Sequence, residues 1–208
     1  IFTTFEGDNT VLLQLVARSV LHDFKKELGD GGLFGMVEFV AERFMTSILE
    51  KNPVVIRNTD EKHLQSQEFQ LHAFRYRETD LKASAGGRLR KYISGGLSPH
   101  QAFLKCQNHL LELAKSFGER IVLENFIETE NKCNDESLKP VLSMLRSLYA
   151  LHTIESNASW FLEKEYLKGS KTKAIRKVVD KLCFETRKNA AGLVDSFGIP
   201  EDLLDVKF

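Results

Sequence analysis

The sequence predicts an all-α protein, built of long antiparallel helices packed as a helical bundle. Apolar residues recur at three- and four-residue steps over windows far longer than a strand. Helix-start and helix-stop signals bracket those windows. Residues 52–57 (NPVVIR) alone have strand character, and they are too isolated to build a sheet.

From the amino end, residues 11–28 and 33–50 read as two helices separated by Gly29-Asp30-Gly31-Gly32, the best boundary candidate in the chain. Residues 60–94 read as one or two further helices, with Leu64, Leu71, Phe74, Leu81, Leu89 and Ile93 inward. A long helix is expected over residues 99–130. It opens on the capping box Ser98-Pro99-His100-Gln101 and continues through Phe103, Cys106, Leu110, Leu113, Phe117, Ile121 and Phe126. The next covers about 140–167, carried by Val141, Leu145, Leu148, Tyr149, Trp160, Phe161 and Leu162, with Gly169 as its stop. The last spans 171–197 on a stripe of Ile175, Val178, Val179, Leu182, Cys183, Ala190, Leu193, Val194 and Phe197, ended by Gly198 and Pro200. No internal repeat or low-complexity linker divides the chain.

A chain of 208 residues can bury the core of one large domain or two small ones. Its 29 basic and 29 acidic side chains balance, which argues against a nucleic-acid partner and against general attraction to an anionic membrane. No apolar run is long enough to cross a bilayer, and no signal-peptide pattern opens the chain. Cys106, Cys133 and Cys183 are scattered and odd in number, and the six histidines show no metal-ligand spacing. The expectation is no disulfide framework, no bound metal and an intracellular location. The chain starts in mid-pattern at Ile1, as a fragment or processed piece of a longer protein would.

One polar knot, Glu6-Gly7-Asp8-Asn9-Thr10, precedes the first apolar helix. On a purely structural reading, Asp8, Asn9 or Thr10 caps the helix beginning near Val11, and Glu6 sits where the helix dipole favours negative charge. On a functional reading, Glu6 is a carboxylate base beside a glycine, Gly7, that lets the backbone approach a bulky ligand.

The stretch TFEGDNTVLLQLVAR resembles the catalytic segment of the acyl-CoA oxidases, flavoenzymes of fatty acid β-oxidation, and more loosely that of acyl-CoA dehydrogenases. LRSLYALHTIE (145–155) and AAGLVDSFGIPEDLL (190–204) resemble segments of the oxidases' carboxy-terminal helical domain, while residues 33–94 match more weakly. The resemblance implies that Glu6 removes the proton next to the thioester carbonyl, with Gly7, Asp8 and Asn9 beside the flavin and substrate. It further implies FAD as cofactor, held mainly by upstream regions outside this chain, acyl-CoA as substrate, and a homodimer. Residues 1–30 would close the flavin-linked catalytic domain and 31–208 would form the carboxy-terminal helical domain. The parent would be peroxisomal in a eukaryote and cytoplasmic in a bacterium, and the fragment alone inert. Val206-Lys207-Phe208 is not an SKL-type peroxisomal address.

Two rival readings stay open. One is an acyl-CoA dehydrogenase with an extension, disfavoured by the EGDN form and by the long helical stretch after the motif. The other is a non-catalytic helical docking or dimerisation module that keeps the motif as a cap. Lys164, Lys168, Lys171, Lys173, Arg176, Lys177 and Lys181 form a basic cluster, read as a solvated helix face, with CoA phosphates or a partner as the functional alternative. Arg88, Arg90 and Lys91 are a smaller group of the same kind. Trp160 and Phe161 are expected in the core, and the Asn157-Ala158-Ser159 sequon is expected unused at a mid-helix position.

Overall fold

A computed structural model describes residues 8–27 and 58–200. The expected helix over 33–50, the glycine boundary at 29–32 and the strand-like 52–57 lie outside the described residues. Among the described residues the regular structure is helical, without strands: α1 (Thr10–Glu27), α2 (Glu61–Leu64), α3 (Gln67–Ser94), α4 (Pro99–Lys105), α5 (Gln107–Lys132), α6 (Lys139–Ser156), α7 (Ala158–Glu163), α8 (Gly169–Lys188) and α9 (Ala190–Asp195).

Side chains start most of the early helices. Asp60 accepts from the backbone N–H groups of Lys62 and His63 at α2, and Ser66 accepts from Phe69 at α3. The expected capping box opens α4: Ser98 Oγ accepts from Gln101 N at 3.3 Å, and Gln101 Oε1 accepts from Ser98 N at 3.0 Å. Residues 60–94 form two helices, α2 and α3, as the first reading allowed.

Three expected long helices are each interrupted. The 99–130 helix breaks at Cys106, whose N–H is shared between the carbonyls of Ala102 and Phe103. The 171–197 helix breaks at Asn189. The 140–167 helix breaks at Asn157, whose side-chain amide donates to the Thr153 carbonyl at 2.8 Å and so competes with the helical ladder. Gly169 does not end that helix but begins α8; α7 stops earlier. Glu165 takes φ 55°, and its N–H and that of Tyr166 reach back to Leu162 and Phe161, both at 3.0 Å. That is a Schellman turn closed by an exposed glutamate in place of glycine, with the Tyr166 and Phe161 rings 5.5 Å apart as its apolar contact. Gly96, at φ 95°, closes α3 the same way, with Leu97 N–H on Tyr92 at 3.1 Å.

Short connections make α3, α5, α6 and α8 antiparallel neighbours. α5 is central: α3, α1 and α6 pack on it, and α8 packs on α6. The apolar interior falls into two clusters. One joins Ala17 and Val20 of α1 to Leu81 and Ala85 of α3, Cys106, and Leu110, Leu113 and Ala114 of α5. The other joins Leu64, the amino-terminal half of α3, Leu123, α6, Phe161, Tyr166, Leu167 and α8. Trp160 packs against both.

Most residues placed inward by periodicity are buried or half-buried, Trp160 and Phe161 included. Ile93, Ile121, Leu162, Cys183, Ala190, Val194 and Phe197 instead face outward. Phe197, which follows α9, is 76% exposed.

Candidate functional site

The first candidate site is the start of α1. Glu6 and Gly7 lie outside the described residues. Asp8 and Asn9 are described, and both belong to the helix start. Asp8 Oδ1 accepts from Thr10 N at 2.7 Å and from Thr10 Oγ1 at 2.6 Å, and the Asn9 carbonyl accepts from Leu13 N at 2.9 Å. The Thr10 hydroxyl bond, then the Thr10 N–H, hold the exposed Asp8 carboxyl below its ordinary range. Asp8 therefore stays ionised and engaged with the start of α1 at neutral pH.

The next concentration of chemistry is a belt of ion pairs between α3 and α5. Arg77 bridges Glu119 at 2.7 Å and Glu112 at 3.0 Å. Arg120 pairs with Glu78 and Glu124, Lys82 reaches Glu78 at 3.2 Å, and Lys164 reaches Asp80 at 2.9 Å. Burial pushes the Glu119 carboxyl up despite the opposing Arg77 charge. Burial opposes the Arg120 charge, but the Glu78 and Glu124 carboxylates outweigh it and the guanidinium is held above its ordinary range. Paired charges of this kind fix helix register and offer no reactive group. Sequence reading missed Arg77, Glu78 and Asp80 as interior positions, although Arg77 and Glu78 each stand three or four residues from the inward Phe74 and Leu81.

An open cleft of about 590 Å³ lies at the α4–α5 break, lined by Arg88, Tyr92, Lys105, Cys106, His109 and Glu112 among others. Burial raises the Cys106 thiol and lowers His109, so at neutral pH both are uncharged. A protonated, buried thiol is not a nucleophile. No group of His, Cys, Asp or Glu among the described residues is arranged to hold a metal ion, and no described helix is long and apolar enough to cross a membrane.

Lys173, Arg176, Lys177 and Lys181, at i, i+3, i+4 and i+8 of α8, stay together on one exposed helix face, and Lys171 leaves it. Lys164, Arg176 and Lys181 pair with Asp80, Glu155 and Glu61. Lys168, Lys173 and Lys177 are exposed. Lys171 turns inward: it is 1% exposed, its Nζ lies 3.1 Å from His63 Nε2 and 4.1 Å from the centre of the Phe69 ring, and burial pushes its pKa down to about 8.

What the fold and this capped start belong to is settled by comparison with known proteins. The family model described as acyl-CoA oxidase matches residues 66–206. The peroxisomal acyl-coenzyme A oxidase 2 of Arabidopsis thaliana is 40% identical over 201 residues, 97% of this chain and 29% of that protein. The peroxisomal acyl-coenzyme A oxidase 3 of the same plant is 32% identical over 206 residues, again 97% and 29%. Among solved structures, acyl-CoA oxidase 1 of Yarrowia lipolytica superposes with a TM-score of 0.79 at 25% identity, over 95% of this chain and 28% of that one. An acyl-CoA oxidase-2 of Caenorhabditis elegans, solved bound with FAD, ascaroside-CoA and ATP, shares the fold at a TM-score of 0.72 and 23% identity, covering 95% and 28%. The chain spans about 29% of the length of the curated relatives it matches. A match over two-thirds of the sequence, carried on the same helical frame, places this chain in the acyl-CoA oxidase family.

Proposed function

We propose that this chain is the carboxy-terminal portion of a flavin-dependent acyl-CoA oxidase, whose whole protein converts acyl-CoA and oxygen to trans-2-enoyl-CoA and hydrogen peroxide. The observation that carries this reading is the 40% identity across 97% of the chain to a named oxidase. Residues 1–30 end the catalytic helical domain and 31–208 form the carboxy-terminal domain. The described part of α1 shares its core with α3 and α5, so that boundary is one of function and not of packing.

In this reading Glu6 is the base that takes the α-proton of the thioester. Such a proton is too weakly acidic for a carboxylate unless fixed donors polarise the carbonyl and water is excluded. FAD supplies the hydride-accepting, oxygen-reactive chemistry, held mainly by parts of the whole protein outside this chain. The described residues fit a supporting role beside it. Asp8, engaged by Thr10, and Asn9 stand at the start of α1 and, with Gly7, are the candidates beside flavin and substrate. The isolated chain is inert, the working protein is a homodimer, and its compartment is the peroxisome, in keeping with the names of the plant relatives.

Glu6→Gln in the full-length protein keeps the shape and removes the base. Acyl-CoA-dependent peroxide release should fall by about 10²–10⁴-fold while flavin content is unchanged. Near-normal release would remove Glu6 from the mechanism.

A further inference from the structure

A small cavity of about 10 Å³ lies where α3, α5 and the α6–α7 junction meet. It is partly open and is lined by Arg77, Ser116, Glu119, Thr153 and Asn157 together with Phe74, Ile154 and Phe161. The capacity is about that of one water molecule. Arg77 is 4% exposed, and its two terminal nitrogens are taken by Glu119 and Glu112. Its third donor, Nε, is buried with no protein partner. A desolvated guanidinium N–H without an acceptor is among the more costly features a folded interior can hold. The lining is largely apolar in area, and Arg77, whose Nε lacks a partner, is among the residues that form it.

We propose that this cavity is a binding site for one ordered water. The water accepts the Arg77 Nε–H and donates its two protons to two of the lining oxygens, on Ser116, Glu119, Thr153 or Asn157. It thereby completes the Arg77 coordination and ties α3 to α5 and α6. The location gives it leverage: Trp160, which joins the two apolar clusters, stands 6.0 Å from the Arg77 guanidinium. Tyr149 of α6, which donates to the Glu119 carbonyl at 3.1 Å, links α6 to the same turn of α5.

A crystal structure of the full-length protein that shows ordered solvent tests this directly. The expected result is one density peak at about 2.7–3.2 Å from Arg77 Nε and from two lining oxygens. An empty cavity, or an Arg77 side chain whose Nε bonds Glu119 directly, overturns the proposal. In solution, Ser116→Thr puts a methyl into the space. If water is displaced, amide hydrogen exchange in α3, α5 and α6 around the cavity should speed by about fivefold in the full-length chain. Unchanged or slower exchange would mean the methyl fills a dry void, and would overturn the proposal equally.

Discussion

Lys171 shows how one residue can belong to a basic run in sequence and to the core in space. Counting by charge groups it with Lys168 and Lys173. Counting by helical period groups it with Ile175, Val178 and Leu182, all of which are buried. The periodic signal was in the sequence and was the better guide. Burial leaves the ammonium beside His63 and over Phe69, and lowers its pKa to about 8 from an unfolded value of about 10.4. Between those values the unfolded chain binds more protons than the folded one. Lys171 therefore destabilises most below pH 8, on the order of 3 kcal/mol before the Phe69 contact is counted, and stability rises from about pH 8 to about pH 10.4. Lys171→Met should flatten that alkaline rise and be neutral to stabilising at neutral pH. Urea midpoints taken across the interval decide it, and an undiminished rise in the variant would assign the effect elsewhere. Arg146 is the opposite case, a buried charge with every side-chain nitrogen supplied. It donates to Glu130, to Gln70, to the Gln65 carbonyl at 3.3 Å and to Ser143 at 3.1 Å. Arg146→Met would strand Glu130 and Gln70 and should cost about 3–5 kcal/mol, read as a loss of the midpoint in the same titration.

At the scale of elements, helix starts and the Gly198 stop, with its φ of 62°, were legible, and the end of α7 was not. Ser98 to Gln101 is a local reciprocal bond that depends on two side chains three residues apart, so sequence alone specifies it. The end of α7 carries no such mark, because Glu165 occupies a left-handed position that glycine or asparagine usually takes. Phe161, Tyr166 and Leu167 hold the turn by packing into the core, and that packing outweighs the local strain. Glu165→Gly should therefore stabilise the chain, by up to about 1 kcal/mol, since the φ of 55° is free for glycine. Thermal unfolding followed by circular dichroism checks the sign, and a lowered midpoint would show that the glutamate is not strained. The breaks at Cys106, Asn157 and Asn189 were hidden for a related reason. Each flanking segment keeps good helical periodicity, so the apolar pattern runs through the break.

For the molecule as a whole, Trp160 is the joint between two cores. One cluster holds α1 to α3 and α5, the other holds α6, α7 and α8 to the start of α3. Its indole also has Arg77 at 6.0 Å and Lys164 at 5.9 Å from the ring centre, so the ion-pair belt and the apolar joint meet at one side chain. Trp160→Ala should cost roughly 2–4 kcal/mol and, more tellingly, should separate the protection of the two clusters in native-state hydrogen exchange. A uniform loss of protection across both clusters would show that they are coupled by the α3–α5 contact alone.

The sequence by itself determined the all-α class, the main helical segments, the capped start of α1 and the resemblance to the oxidases, because periodicity, capping and short motifs are written within a few residues of one another. Only the tertiary structure decided which charges go inside, where three long helices break, and that Lys171 leaves the basic run for the core. Those outcomes turn on what stands opposite a side chain: a glutamate across α5 for Arg77, a ring from α3 beneath Lys171, an aromatic cluster beneath Glu165. Contacts between residues tens of positions apart are set by packing and desolvation, and no local pattern in the chain encodes them.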